Sequence, residues 1–310
     1  MKICRGVSPA DTCCGLKTTV TLGTFDGVHI GHRYILNKVI SNAEHSGEQS
    51  AVITFNRHPY EVLKPESTPK LLTTLDEKIA LFEAIGINIV YIIEFTRKIS
   101  EMNPEQFISR YLVDCLGMSH FIVGYDHGFG KGRKGSSEVL QKFAMKYDFT
   151  LEIQSPVEYN GIIVNSSTIR NYLLMGKTDA ASDLLGTDYS FRGNVISGYG
   201  LGKKIGIPTA NITLIDQEKI VPLSGVYAGW IEFIDQKREA LIHLGSRPTV
   251  NRNEEGIEVH IPDFTGDLYG KEVRVGFKRR LRNIKQFESE QALVQQIKKD
   301  IEVLNQLILL

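Results

Sequence analysis

The spacing of apolar residues changes character along the chain. In the first part, short apolar runs alternate with stretches whose apolar residues recur every three or four positions. Residues 20–23 read as a strand end. Leu36, Val39, Ile40 and Ala43 then share one helical face, which Gly47 closes. Residues 52–55 read as the next strand. Thr74 to Glu77 spell a capping box, opening a helix with Ile79, Phe82 and Ile85 on one face. Residues 87–93 are a buried-type strand, and Asn103-Pro104 starts a helix that runs to Gly117. Residues 121–124 form a further strand, and Ser136 or Ser137 opens another helix. Strands separated by helices predict right-handed crossovers and a parallel, Rossmann-like α/β sheet.

After residue 186 the period changes. Two short helices, 168–175 and 178–185, end at Gly186. Strand-like runs follow at 191–197, 226–233, 239–244, 256–261 and 272–277, with Gly, Pro, Asn and Asp between them. That pattern predicts a small antiparallel β-barrel. A last helix carries Leu293, Ile297, Ile301, Leu304 and Ile308 on one face, the pattern of a cover for the barrel. The expected domains are therefore 1–186 and 187–310.

Composition agrees with this division. A chain of 310 residues suits two domains and can bury a sizeable core. Net charge is zero and no long basic run occurs, which argues against nucleic acid as a partner. No stretch approaches the ~20 apolar residues of a membrane span. The opening MKICRGVSPAD lacks the apolar core of a signal peptide, so the expectation is a cytoplasmic protein with no membrane and no obligatory protein partner. Cys4, Cys13, Cys14 and Cys115 show neither a CxxC pair nor zinc spacing, and read as free thiols in a reducing compartment.

Candidate chemistry begins at TLGTFDGVHIGHRYIL, residues 21–36. A strand that ends in glycines and turns into a helix offers backbone N–H groups and a helix dipole to an anion, phosphate above all. Gly23 lets a ligand approach the backbone, while Gly27 and Gly31 keep the turn open. His29 and His32, three apart, share one face of the first turn and can donate to one phosphate.

The HIGH tetrapeptide resembles the signature of the nucleotidyltransferase superfamily, which includes class I aminoacyl-tRNA synthetases. No KMSKS-like loop or tRNA-binding surface accompanies it. The longer run GTFDGVHIGHR resembles the GxFDGxHxGH motif of bacterial FAD synthetases. TFNRHPYEVL, GYDHGFGKGRKG and VNSSTIRNYL follow in that family's order. Beyond residue 190, GNVISGYGLGKKIGIPTAN, GVYAG, LGSRPTV, IEVHIPDF and LRNIKQF resemble the motifs of riboflavin kinase. Nearly the whole chain thus resembles the bifunctional riboflavin kinase/FMN adenylyltransferases. That resemblance implies a nucleotidyltransferase domain followed by a riboflavin kinase barrel. It also implies two reactions: riboflavin and ATP giving FMN, then FMN and ATP giving FAD and pyrophosphate, with Mg²⁺ as cofactor.

For adenylyl transfer, the FMN phosphate is already an anion and needs positioning and charge neutralisation rather than a strong base. The expected ATP contacts are Gly23, Phe25, Asp26, Gly27, His29 and His32, with Ser166, Ser167 and Arg170 for the pyrophosphate. His58 and Pro59, together with Gly124, Asp126, Phe129 and Gly130, are the expected nucleotide or flavin contacts. Asn165 stands where a serine is usual in the family, Arg57 where a proline is, and His127 where a phenylalanine is. For the kinase, the nucleophile is an alcohol and a positioned base contributes ~10²–10⁴-fold. Glu258 alternates with Ile257 and Val259, so it faces away from the core; the resemblance makes it the base. Gly198, Gly200, Gly202, Lys203, Gly206 and Pro208 form the expected ATP loop, which is not a P-loop, and Lys203 stands where the family usually has arginine. Thr209 and Asn211 offer hard oxygen ligands to Mg²⁺. Arg282 and Phe287 resemble the flap over the flavin. Three alternatives are a single-activity enzyme, a flavin or nucleotide sensor, and an RNA-acting nucleotidyltransferase. The last is disfavoured by neutral charge and by the PTAN half.

Overall fold

The structure, a computed structural model, describes residues 1–6, 17–125, 137–198, 201–234, 236–246 and 255–308. The chain divides into two compact units, Met1–Asn165 and Ser166–Leu310.

The first unit runs β1 (Lys2–Arg5), β2 (Thr18–Leu22), α1 (Ile30–Ser46), β3 (Gln49–Phe55), α2 (Tyr60–Leu63), α3 (Leu75–Ile85), β4 (Ile89–Ile93), α4 (Arg97–Ser100), α5 (Pro104–Phe107), β5 (Met118–Gly124), α6 (Ser137–Tyr147) and β6 (Thr150–Gln154). A small hairpin of β7 (Glu158–Tyr159) and β8 (Ile162–Ile163) follows. The six long strands pair in parallel in the order β1-β4-β3-β2-β5-β6. From β2 the chain steps through β3 to β4 on one side, then places β5 and β6 on the other. The order reverses beside β2, and ligands of open parallel sheets bind at the carboxyl ends of strands at such a point.

Both faces of the sheet are covered, as a parallel sheet requires. Leu22, Ile53, Tyr91, Phe107 and Phe121 belong to one apolar cluster; Val52, Val90, Leu36 and Phe82 belong to the other, beneath α1 and α3. Local signals hold where they were strong. Gly47 caps α1 with φ 66°, and Thr74 and Glu77 form the reciprocal capping box of α3. The helix expected to run from 103 to 117 instead continues from α5 as a π-helical segment, Ile108–Asp114. The edge strands β1 and β6 carry no pattern that could announce them, because only Cys4 and Gln154 are buried in them. Cys4 and Cys115 are buried and not joined in a disulfide; Cys13 and Cys14 lie outside the described residues.

The second unit holds α7 (Ser166–Leu174), α8 (Thr178–Leu185), β9 (Tyr189–Ile196), α9 (Leu201–Lys204), β10 (Ala210–Leu214), β11 (Gly225–Phe233), β12 (Gln236–Ser246), β13 (Glu255–His260), β14 (Glu272–Arg282) and α10 (Glu290–Ile308). Its strands close into an antiparallel barrel, β10-β13-β12-β11-β14-β9. Strand β10, which the PTAN run enters, was not legible as a strand. The last helix covers the barrel as its pattern predicts, with Leu304 fully buried beside Ala228 and Leu241, and Ile297 and Ile301 packed against them.

The compact units divide at 165/166, whereas the change of sequence pattern lies at 186. Helices α7 and α8 fall with the barrel. The Thr178 hydroxyl donates to the Lys278 carbonyl (3.3 Å), the Leu223 N–H donates to the Leu173 carbonyl (3.0 Å), and α8 packs on β14 and β9. Between the two helices Gly176 (φ 73°) lies against the side chain of Arg280.

Candidate active sites

At the end of β2 the backbone leaves ordinary conformations. Phe25 has φ 50°, Gly27 φ 89° and Val28 φ 39°. A β-branched residue at positive φ is strained, and such strain persists only where the surroundings impose it. Two contacts impose it here. The Asp26 carboxylate accepts the Leu72 N–H (3.0 Å) and the Thr73 N–H (2.9 Å) and hydroxyl (3.2 Å), and the Gly27 N–H donates to the Thr73 hydroxyl (2.8 Å). Phe25 is buried edge-on to Phe82 and to the His32 ring. Gly23 lies under Phe25, where an added Cβ would come within 3.1 Å of the ring. Asp26 and Phe25, both expected at the phosphate, thus hold the turn: Asp26 directs its carboxylate at residues 72–73.

The turn delivers His29 to the N-cap of α1. Its Nδ1 accepts the His32 N–H (3.2 Å), which places the His29 ring proton on Nε2. The His32 ring stacks on it, centroids 3.6 Å apart and planes 16° from parallel, and His32 Nδ1 is buried with no hydrogen-bond partner. Burial, then the neighbouring His29 and Lys78, hold the His32 pKa well below the ordinary imidazole value. His32 therefore acts near neutral pH as an uncharged imidazole. By helix geometry the first N–H groups of α1 have no intrahelical acceptor, so an anion is favoured at this end.

Lys78, which the sequence pattern passed over, lies beside this turn. It is 8 % exposed, and its ammonium donates to the carbonyl of Thr24 (3.0 Å) and lies 3.5 Å from the Phe55 carbonyl, joining the ends of β2 and β3. Burial lowers its pKa to about 8, with Asp26 opposing. Lys78 lines a cleft with Thr24, Asn56, Arg57, His58, Thr73 and Leu75. The signal in the sequence was a lysine on the same helical stripe as Leu75, Ile79 and Phe82. His58 and Pro59 also open α2: His58 Nδ1 accepts the Tyr60 N–H (3.1 Å), and the His58 N–H donates to Glu61 (2.9 Å). Arg57 lies 3.9 Å from Glu94, both well exposed.

Gly124 ends β5 as expected, but Asp126, His127, Phe129 and Gly130 lie outside the described residues. The Asn165 amide donates to the Ile163 carbonyl (3.2 Å). Ser166, Ser167 and Arg170 fall in the first turns of α7.

In the barrel, directly opposed residues form a row across five strands: Asn211 on β10, Glu258 on β13, His243 on β12, Val226 on β11 and Arg282 on β14. Opposed residues project to one face. That face is the outer one, because Leu241, two residues from His243, meets α10. The Thr209 hydroxyl reaches Glu258 at 3.5 Å. His260 shares the face of Glu258, and its ring Nδ1 donates to the Pro208 carbonyl (2.8 Å), fixing the PTAN turn. The ExH spacing thus has a structural cause, one residue facing Thr209 and the other holding Pro208. Gly198 lies so close to the Asn211 side chain that any Cβ would overlap it, and Gly202 likewise abuts the Ile207 carbonyl, with Thr209 Oγ1 3.2 Å from the same point. The loop therefore passes directly over both hydroxyl and amide. Gly206 (φ 76°) ends this turn; Lys203 belongs to α9; Gly200 and residues 247–250 lie outside the described residues.

Arg282 and Phe287 do meet, with the guanidinium 5.8 Å from the ring centroid. Arg282 is also gripped by buried Asp300 of α10, through Nε (3.0 Å) and a terminal nitrogen (2.8 Å). His243 was not singled out in the sequence, where it is one polar residue in an alternating strand. Burial lowers its pKa, Glu258 opposes that shift and Arg282 adds to it.

The family model for FAD synthetase matches residues 14–168, and that for riboflavin kinase matches residues 185–308. The chain belongs to the bifunctional riboflavin kinase/FMN adenylyltransferases. Members so described include one from Buchnera aphidicola, 34 % identical over 98 % of this chain and 97 % of its own length. Another, from Pseudomonas fluorescens, is 36 % identical over 91 % of this chain and 90 % of its own. A solved structure described as a macrolide-efflux protein from Streptococcus pneumoniae has 30 % identity and a TM-score of 0.89, covering 98 % of this chain and 99 % of its own. Among the described residues, no helix is long and apolar enough to cross a membrane. As a member of the family the chain is a transferase with two activities, riboflavin kinase and FMN adenylyltransferase, and uses ATP in both.

Proposed function

We propose the following division of work. The turn after β2 serves adenylyl transfer. An oxygen of the FMN phosphate attacks the α-phosphorus of ATP, and the bond to the pyrophosphate oxygen breaks. No proton need be removed from the nucleophile. The N-terminus of α1, His29 through Nε2–H and neutral His32 hydrogen-bond the phosphate as charge builds on it. Asp26, Phe25 and Gly27 are positioning residues for that turn. His58, Pro59 and Gly124 lie at the strand ends where the flavin or nucleotide is expected, and Ser166, Ser167 and Arg170 keep the pyrophosphate role that the family resemblance implies.

The outer row of the barrel serves phosphorylation. Glu258 takes the proton of riboflavin's primary hydroxyl while the hydroxyl oxygen attacks the γ-phosphorus of ATP. The glycine loop from Gly198 to Gly206 cradles the phosphates with its N–H groups. The Thr209 hydroxyl and the Asn211 amide oxygen, set beside the carboxylate of Glu258, are the hard oxygen donors that suit Mg²⁺. Held by these two side chains, a Mg²⁺ ion would supply charge neutralisation to the phosphates. Phe287, backed by Arg282, is the surface for the flavin ring. The adenylyltransferase part ends at 186 and the kinase part begins at 187, and the protein works in the cytoplasm.

The observation that carries the kinase reading is the placement of Glu258 against Thr209 and opposite Asn211. The direct test incubates the protein with riboflavin, ATP and Mg²⁺ and follows the flavins by chromatography. FMN should rise first and FAD follow, with one pyrophosphate per FAD. Formation of FAD from supplied FMN with no phosphorylation of riboflavin would overturn the kinase assignment.

A further inference from the structure

Glu258 has a neighbour that neither reaction has used. His243 lies directly opposite it across β12 and β13. Directly opposed residues of an antiparallel pair have Cβ atoms roughly 4.5–5.5 Å apart and project to the same face, so their side chains can meet. We propose that His243 is the positioning residue of the kinase site, orienting the Glu258 carboxylate and taking up the proton that Glu258 collects from riboflavin. The proposal rests on Glu258 being the base.

Geometry separates this role from metal binding. Asn211 is two strands from His243, roughly 9–10 Å at the usual strand spacing, with Glu258 between them. The charged groups around the imidazole can be named. Glu258 faces it from β13. Arg282 lies beyond Val226 on β14, and its charge is answered by Asp300 of α10. Val226 faces it from β11, and its own same-face neighbours on β12, Leu241 and Gly245, are uncharged. With Arg282 already paired, Glu258 is, among the described residues, the anion that faces an imidazolium at this position. Burial keeps the resting imidazole neutral, so its ring nitrogen is available as an acceptor.

The step balances without another reactant. The O–H bond of the primary hydroxyl breaks and its oxygen bonds to the γ-phosphorus. The bond from that phosphorus to ADP breaks, leaving its electron pair on ADP. The proton passes to a carboxylate oxygen of Glu258, then to the His243 ring, and from the imidazolium to solvent after FMN departs. No electron transfer is involved.

The test uses the full chain and both reactions. His243→Asn keeps a polar side chain and removes the basic nitrogen. Its riboflavin kcat should fall roughly 10-fold, the scale on which outer partners matter, with KM for riboflavin and ATP nearly unchanged. The part of the acid limb that reports protonation of His243 should be lost from its pH profile. Imidazole in the buffer should restore part of the rate to His243→Ala. Conversion of FMN to FAD is the internal control and should not change. A His243→Asn rate within twofold of the parent, with the same pH profile, overturns the proposal; so does a rise in KM at constant kcat. Should these variants not fold, NMR titration of His243 decides the matter. Its pKa should drop in Glu258→Gln, because the anion that raises it is gone, and an unchanged pKa refutes the coupling. Failure of the parent enzyme to phosphorylate riboflavin would instead count against the kinase reading, and the titration would still report whether the two side chains interact.

Discussion

His29 and His32 form one unit: the rings stack 3.6 Å apart while His29 Nδ1 accepts the backbone N–H of His32. His29 therefore caps the helix and presents Nε2, two tasks that substitution can separate. His29→Asn should retain a capping acceptor, and stability should stay within about 1 kcal/mol. It should still lose FAD formation by roughly 10²–10³-fold, as for removal of a donor at developing charge. His29→Ala should lose both. FMN formation from riboflavin is the control and should persist in each. Chemical denaturation and flavin chromatography on one preparation separate the outcomes; full FAD synthesis by a folded His29→Asn protein would refute the phosphate role.

The buried titratable groups predict a pH dependence with a definite sign. The native pKa of His32 is below its unfolded value, so below about 6.5 the unfolded chain binds more protons. Stability should therefore be level above that pH, as far as His32 is concerned, and fall as the pH drops further. Lys78 is depressed to about 8 from 10.5, so its window lies higher. Between those values the unfolded chain again holds more protons, and stability should rise with pH. Denaturation midpoints of the parent and of His32→Asn should converge in slope above pH 6.5 and diverge below it. Lys78→Met should abolish the rise between 8 and 10.5. Parallel slopes in either comparison would contradict the assignment.

Glu258→Gln keeps the side-chain shape and removes the base. Riboflavin phosphorylation should fall by about 10²-fold or more, while supplied FMN should still become FAD. Circular dichroism should be unchanged, because Glu258 lies on the outer face of the barrel beside Thr209 and not in its core. A loss of both activities together would mean that the two reactions share more than a chain.

Asp300 makes a separate prediction. It is 4 % exposed and grips Arg282 at 2.8 Å. Asp300→Ala leaves a largely buried guanidinium unpaired, which costs about 3–5 kcal/mol. Thermal unfolding should shift down clearly. Replacing both residues by apolar ones of similar size should recover much of that loss, and failure to recover it would show that Arg282 has another essential partner.

Much of this was legible because local chemistry leaves short signatures. Thr74 and Glu77 announced the capping box, the glycines and histidines of residues 21–36 announced the turn that puts His29 at the N-cap of α1, and PTAN with ExH pointed to Thr209, Asn211 and Glu258, which the barrel brings together. The resemblance places Asp26 at the phosphate; that its carboxylate accepts from Leu72 and Thr73, 46 and 47 residues away, is invisible to a local reading. Lys78 was hidden because a lysine on an apolar stripe looks like an interruption. The edge strands β1 and β6 were hidden because an edge that buries one side chain has no period to detect. His243 acquired meaning only when the register put it opposite Glu258.

The division at 165/166 leads to a prediction about fragments. Apolar faces on α7 and α8 look the same in sequence whichever body they pack against. In the structure Ile169, Leu173, Ala181, Leu184 and Leu185 are all buried, and α8 lies on β14 and β9. A fragment of residues 187–310 would strip this pair away, removing the Thr178 and Leu173 hydrogen bonds as well. Each fully buried aliphatic side chain contributes roughly 1.5–3 kcal/mol, so losing the pair removes several kcal/mol of burial. Residues 166–310 should fold cooperatively and phosphorylate riboflavin. Residues 187–310 should unfold at a lower temperature and bind a hydrophobic dye. The complementary fragments carry the opposite defect. Residues 1–165 lack Ser166, Ser167 and Arg170, and under the pyrophosphate role proposed for these residues should form FAD more slowly than the parent. Residues 1–186 retain those side chains but expose the face of α8 that lies on the barrel, and should be prone to association. Equal stability of the 166–310 and 187–310 fragments, measured by calorimetry, would show that α7 and α8 contribute nothing to the barrel and would return the structural boundary to 186.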